Sequence, residues 1–225
     1  MPQEIAVLLG PSCERAVAET ILPARFFHPP AARGDLTDAA EEGARIITLI
    51  DGVFFQESAV GHREILAALK SGIRVIGASS MGALRAAELD TLGMEGVGLI
   101  YRLYRDGVLI SDDEVALVYD PEDYTPLSEP LINIRCTIRK ARDEGILTND
   151  DAAALLSAAR SLYFPERTYP HICEQAESAV FAPVRKSFLE FTRLHAVDQK
   201  REDALEALRR TKELLGKQLG EQLGL

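Results

Sequence analysis

The stretch from Ile73 to Leu89 constrains this chain more than any other. It opens with the β-branched run Ile73, Val75, Ile76, which predicts a buried strand. It passes through Gly77-Ala78-Ser79-Ser80-Met81-Gly82 and continues without a break into an Ala- and Leu-rich helix. A strand that turns directly into a helix leaves backbone N–H groups open at the turn, with the positive end of the helix dipole behind them. A hydroxyl held there is a candidate nucleophile, and the neighbouring N–H groups are a ready oxyanion hole. Ala78-Ser79-Ser80-Met81-Gly82 is close to the small-x-Ser-x-Gly nucleophile elbow, with Ala at the first glycine. Ser80 holds the central place of that pattern and is the candidate nucleophile, and Ser79 is the candidate helix cap. Gly77, Met81 and Gly82 shape the turn around them. Serine before a helix is also a favoured cap with no chemistry attached, and that reading stands beside the first.

Strand-like runs near residues 5, 26, 47 and 75 alternate with helical ones, which predicts βαβ units and a parallel sheet. Glu4 to Leu9 is the first, and Arg25-Phe26-Phe27 a short second. Ile46 to Ile50, ending at Asp51-Gly52, is the third. Ser12 is placed to cap the helix after the first strand. Leu36–Gly43 and His62–Lys70 read as helices, and Val115 to Tyr119 as a fifth strand. In such sheets ligands gather at the carboxyl ends of the strands, so Gly10, Asp51 and the Ser80 turn are expected along one edge. No Gly-x-Gly-x-x-Gly follows the first strand, so a dinucleotide site is not expected, and no other cofactor is implied.

Leu127-Ser128-Glu129-Pro130 reads as a helix start, with Ser128 as its cap. On that helix Glu129, Asn133, Thr137 and Lys140 are spaced to share one face, a solvated stripe or the wall of a site. From Thr148 onward the pattern is all-helical. The fold expected is therefore α/β, a parallel-sheet Rossmann-like core over residues 1–125 followed by an all-helical region over 126–225.

The 225 residues carry a formal charge of −10, which argues against a nucleic-acid partner. Three scattered cysteines and four unpaired histidines fit neither a disulfide framework nor a zinc site. The acidic turn Asp112-Asp113-Glu114 reads as an edge turn before it reads as a cation site, so no metal is expected. No apolar run is long enough for a membrane span, and the first residues lack the order of a signal peptide. A cytoplasmic protein is expected.

The chain resembles the TfuA-like family. The resemblance is carried by Ile50-Asp51-Gly52-Val53-Phe54-Phe55, by His62-Arg63-Glu64-Ile65-Leu66 and by Gly77 through Leu89. It continues in Gly93 to Gly98, Asp112 to Ala116 and Leu127 to Arg135. It implies a partner of YcaO enzymes in peptide backbone thioamidation. In that role the protein hydrolyses a thiocarboxylated ThiS-type sulfur carrier to release sulfide, and helps engage the peptide substrate. The implied site is a Ser–Lys pair, with its serine at Ser80. Members of the family read His-Lys-Glu where this chain has Arg63, and an arginine cannot act as a base. Lys70 lies at the far end of its helix, which leaves Lys140, on the stripe with Asn133, as the lysine. Arg85 or Arg135 would hold the anionic thioacid. The alternative is a non-catalytic adaptor that docks YcaO and the peptide, with the Ser80 turn binding an anion.

Overall fold

A computed structural model describes residues 4–54 and 58–223. They form two compact units, one of residues 1–110 together with 200–225 and one of residues 111–199. The sequence pattern places a single boundary after residue 125. The arrangement differs because the last helix returns to the first unit.

The first unit is built on β1 (Ile5–Leu8), β2 (Phe27–His28), β3 (Ile46–Leu49), β4 (Arg74–Ala78) and β5 (Glu95–Val97). All pairings are parallel, in the order β2-β1-β3-β4-β5. The α/β parallel-sheet core expected from the sequence is therefore present. The helices are α1 (Arg15–Ala18), α2 (Asp35–Glu41), α3 (His62–Lys70), α4 (Met81–Leu89) and α5 (Gly98–Arg105), with α10 (Gln199–Leu223) closing the unit. Strand residues alternate between the faces. Ile5, Val7, Ile46 and Ile76 share a core with Ala204, Ala207 and Leu208 of α10. On that face the hydroxyls of Thr48 and Thr211 meet at 2.6 Å. Opposite, Gly77 lies against α4, where a Cβ would come within 2.9 Å of the Ala86 Cβ. The order reverses direction between β1 and β3, the switch point where such sheets open a crevice at their carboxyl edge.

Three local expectations are corrected. Val115–Tyr119 is not a strand; it makes one isolated bridge, Tyr119 to Pro126. The fifth strand is Glu95–Val97, where Gly96 leaves room for the Tyr101 ring. Its glycine and its three-residue length hide it from any β-branched pattern. The second strand is Phe27–His28, preceded by a 3-10 turn over Ala24–Phe26.

The second unit holds α6 (Leu131–Asp143), α7 (Asn149–Ser161), α8 (Tyr169–Gln175) and α9 (Ala182–His195). Leu131, Ile134 and Ile138 pack with Leu155, Ile172, Phe188 and Phe191. The cap of α6 is Pro130 rather than Ser128, whose hydroxyl accepts the Val118 N–H at 2.9 Å. With Pro130 in the cap position and extended, the helix starts two residues later than the serine suggested, so Glu129 lies outside it.

Candidate active site

At the end of β4 the chain turns through Ser79, whose φ is 66°. The N–H of Ser80 donates back to the Ala78 carbonyl at 2.8 Å, so Ser79 is the centre of a γ-turn of the strained, positive-φ form. Such a conformation in a residue with a Cβ costs about 1–3 kcal/mol and persists only where its surroundings hold it. The strained residue of the elbow is thus Ser79, one place before the pattern's central serine.

Ser80 is the N-cap of α4, yet its side chain makes no capping hydrogen bond. This corrects the expectation that Ser79 caps. Ser80 is 7% exposed while Ser79 is 0% exposed, so of the two only Ser80 reaches the surface. The amides beside it are mostly committed, Ser80 N–H to Ala78 and Gly82 N–H to the Ile50 carbonyl at 3.2 Å. That leaves the Met81 N–H, at the first helical position, as the donor for a developing oxyanion. Gly82 is required there: a Cβ would run into the carbonyl of Leu49, with the carbonyl carbon at 2.6 Å.

Behind the turn the ends of three strands are joined. The Ser79 hydroxyl donates to the Ser12 hydroxyl at 2.8 Å, and Ser12 donates to Asp51 Oδ1 at 2.6 Å. Asp51 Oδ2 accepts the N–H groups of Gly10 at 2.9 Å and Ser12 at 3.0 Å. The Lys200 ammonium lies 4.0 Å from Asp51 Oδ1, and both side chains are 2% exposed. Asp51, expected as a ligand-binding residue, is therefore turned inward to bind the chain itself. Ser12 does not cap α1, whose N-cap is Glu14.

Sequence reasoning missed Ser12 as a site residue and missed Lys200 entirely. The signal for Lys200 was its register. It shares a helical stripe with Ala204, Leu208 and Thr211, all buried, and a lysine on such a stripe calls for a buried anion.

Arg85 donates through Nε to the Val60 carbonyl at 3.0 Å and pairs with Glu88 at 2.7 Å. Glu88 also meets His62 Nε2 at 2.7 Å. In the second unit, Asn133 donates to Asp198 Oδ1 at 2.9 Å. Arg135 grips Glu114 through two bonds, at 2.7 and 2.5 Å. Lys140 donates to the His195 carbonyl at 3.4 Å and lies 5.9 Å from the Phe191 ring centroid. The carboxylates of the acidic turn answer arginines, Glu114 that of Arg135 and Asp113 that of Arg167. Burial, and next the Asp198 charge, push the Glu129 carboxyl up from its ordinary value. Burial pushes the Cys173 thiol up to about 11. Among the described residues no three His, Cys, Asp or Glu side chains gather to hold a metal. No helix among them is long and apolar enough to cross a membrane.

A family model for TfuA-like protein matches residues 51–168, just over half of the 225. The chain belongs to the TfuA-like family. The match takes in Asp51, both elbow serines, Arg85, Asn133, Arg135 and Lys140, and leaves Ser12 and Lys200 outside. Phe55, part of the first motif, lies outside the described residues. No curated protein matches the chain.

Proposed function

We propose that this TfuA-like chain is the partner of a YcaO enzyme in peptide backbone thioamidation, and that it releases sulfide from a thiocarboxylated ThiS-type carrier protein. The observation that supports this most is the uncapped Ser80 hydroxyl at a strained strand-to-helix turn, beside the Met81 N–H. Strained backbone in a residue with a side chain, at the carboxyl edge of a parallel sheet, is where function is expected.

The carrier's tail brings its thiocarboxylate carbon to Ser80. A bond forms from Ser80 Oγ to that carbon, and the oxyanion takes the Met81 N–H. The carbon–sulfur bond then breaks, and the serine proton leaves with the sulfur as hydrosulfide. Water hydrolyses the serine ester and frees the carrier with an ordinary carboxylate. Lys140 is the lysine partner suggested by the sequence. Lys200, buried against Asp51 behind the turn, is the lysine proposed here to support Ser80, by holding that carboxylate in place.

The test compares wild type with Ser80→Ala, Lys200→Met and Lys140→Ala in thioamidation driven by thiocarboxylated carrier or by free sulfide. Ser80→Ala and Lys200→Met should lose the carrier-driven reaction and keep the other, while Lys140→Ala keeps both. If Ser80→Ala releases sulfide from the carrier at the wild-type rate, the chain is a docking protein and not a hydrolase.

A further inference from the structure

We infer that Ser12 and Asp51 are positioning residues, which hold Ser79 in its left-handed turn and so aim Ser80 at the substrate. This rests on the reading of Ser80 as the attacking hydroxyl. Neither residue touches the thioacid in this scheme: Ser12 and Asp51 are both buried, and their polar atoms are directed into the chain.

The turn at Ser79 has two kinds of restraint. On its far side α4 is pinned, by the Gly82 N–H to the Ile50 carbonyl and by the close approach of Gly82 to Leu49. On its near side Ala78 is paired with Val97 in the sheet. Between these fixed points, an ordinary backbone conformation at Ser79 would be preferred. What opposes relaxation at the residue itself is its hydroxyl, donated to Ser12 in the interior. Ser12 can accept because its own proton is given to Asp51, and Asp51 is fixed by two further N–H bonds from the first strand's turn. The Ser12 hydroxyl therefore ties the elbow's Ser79 to the Asp51 carboxylate. A relaxed Ser79 would rotate the next peptide, carrying Ser80 Oγ and the Met81 N–H away from their common target. Misplacement of about 1 Å is enough to cost about 10²-fold in rate.

The experiment measures sulfide release from thiocarboxylated ThiS-type carrier by the full chain. Ser12→Ala should lower kcat by about 10²-fold and leave KM within about twofold, because carrier binding is not made by the buried hydroxyl. Ser79→Gly takes up positive φ without help and should lose the dependence on Ser12. The double variant Ser12→Ala/Ser79→Gly should then match Ser79→Gly alone. Should Ser12→Ala fail to fold, Ser79→Ala breaks the same bond from the other side and should show the same split between kcat and KM. Wild-type kcat in a folded Ser12→Ala or Ser79→Ala protein overturns the inference. So does an undiminished effect of Ser12→Ala in the Ser79→Gly background, which would mean that Ser12 acts elsewhere. If instead Ser80→Ala is active, it is the hydrolase reading that fails. An inactive Ser80→Ala beside a fully active Ser12→Ala removes the positioning role alone.

Discussion

Replacing Ser79 by alanine or by glycine separates backbone strain from hydrogen bonding at the elbow. Both substitutions remove the 2.8 Å bond to Ser12, a loss of about 1 kcal/mol for a bond of this kind. Alanine keeps a Cβ at φ 66° and so keeps the strain. Glycine relieves it, a gain of about 1–3 kcal/mol, and gives back about 0.4–1 kcal/mol through the greater freedom of the unfolded chain. Ser79→Ala should therefore be about 1 kcal/mol less stable than wild type, with Ser79→Gly close to wild type. The difference between the variants, about 1 kcal/mol, is roughly a fivefold change in the opening equilibrium. Native-state hydrogen exchange at the amides of Val75 to Ala78 reads that equilibrium in the unit that contains the site. The reasoning is refuted if the alanine variant is protected as well as the glycine variant or better. In that case positive φ at this position would carry no cost, and there would be no strain for Ser12 to hold.

Gly82→Ala places a Cβ against the Leu49 carbonyl, and should destabilise the first unit by about 1–3 kcal/mol while displacing α4 enough to lower sulfide release; thermal melting and the release assay together check it. Arg167 is 1% exposed and donates to the Ala159 carbonyl, the Asp113 carbonyl and the Asp113 carboxylate. Arg167→Met should cost the second unit about 3 kcal/mol, the lower end for a broken buried pair because Asp113 is 39% exposed and can regain water; urea denaturation measures it. Glu129 has its carboxyl raised by burial and then by Asp198. Its contribution is fully present below the unfolded carboxyl value and is lost as pH rises through the folded one. Glu129→Gln should accordingly gain stability relative to wild type as pH rises above the ordinary carboxyl range, and a difference that stays constant as pH rises would refute the assignment.

The fold was legible where the physics is local. The helix His62–Lys70 carries its stop in Gly72, and the passage from β4 into α4 is written in the change of hydrophobic period at Gly77 to Gly82. The placing of Asp51, Ser79 and Ser80 at neighbouring strand ends was legible too, because strand ends in a parallel sheet share an edge. What was hidden depends on tertiary contacts. Ser12 looks like a helix cap until Asp51, 39 residues away, is seen to accept from it. Lys200 looks like one charge among many on a mixed helix until that helix is laid against the sheet. Val115 and Ala116 are buried but lie in irregular chain rather than in a ladder, and an apolar run alone does not tell the two apart.

The placement of Lys200 and Asp51 also bears on why the last helix belongs with the site. A buried pair of opposite charges is rarely the most stable way to fill a core; apolar residues of the same volume usually do as well or better. Here the carboxylate takes three hydrogen bonds from the β1 turn in addition to the lysine, so the charge fixes geometry at the carboxyl edge that an apolar pair could not fix. The same helix sets Asp203 Oδ2 to accept the Ile100 N–H at 2.7 Å, holding the first turn of α5 just beyond β5. One helix from the far end of the sequence thus places an ionic group at each of two strand ends, while its apolar face covers the sheet between them. Loss of that helix would release Asp51 from its counter-charge and would loosen the turn at Ser12. The residues outside the family match are accordingly as much a part of the elbow's support as those within it.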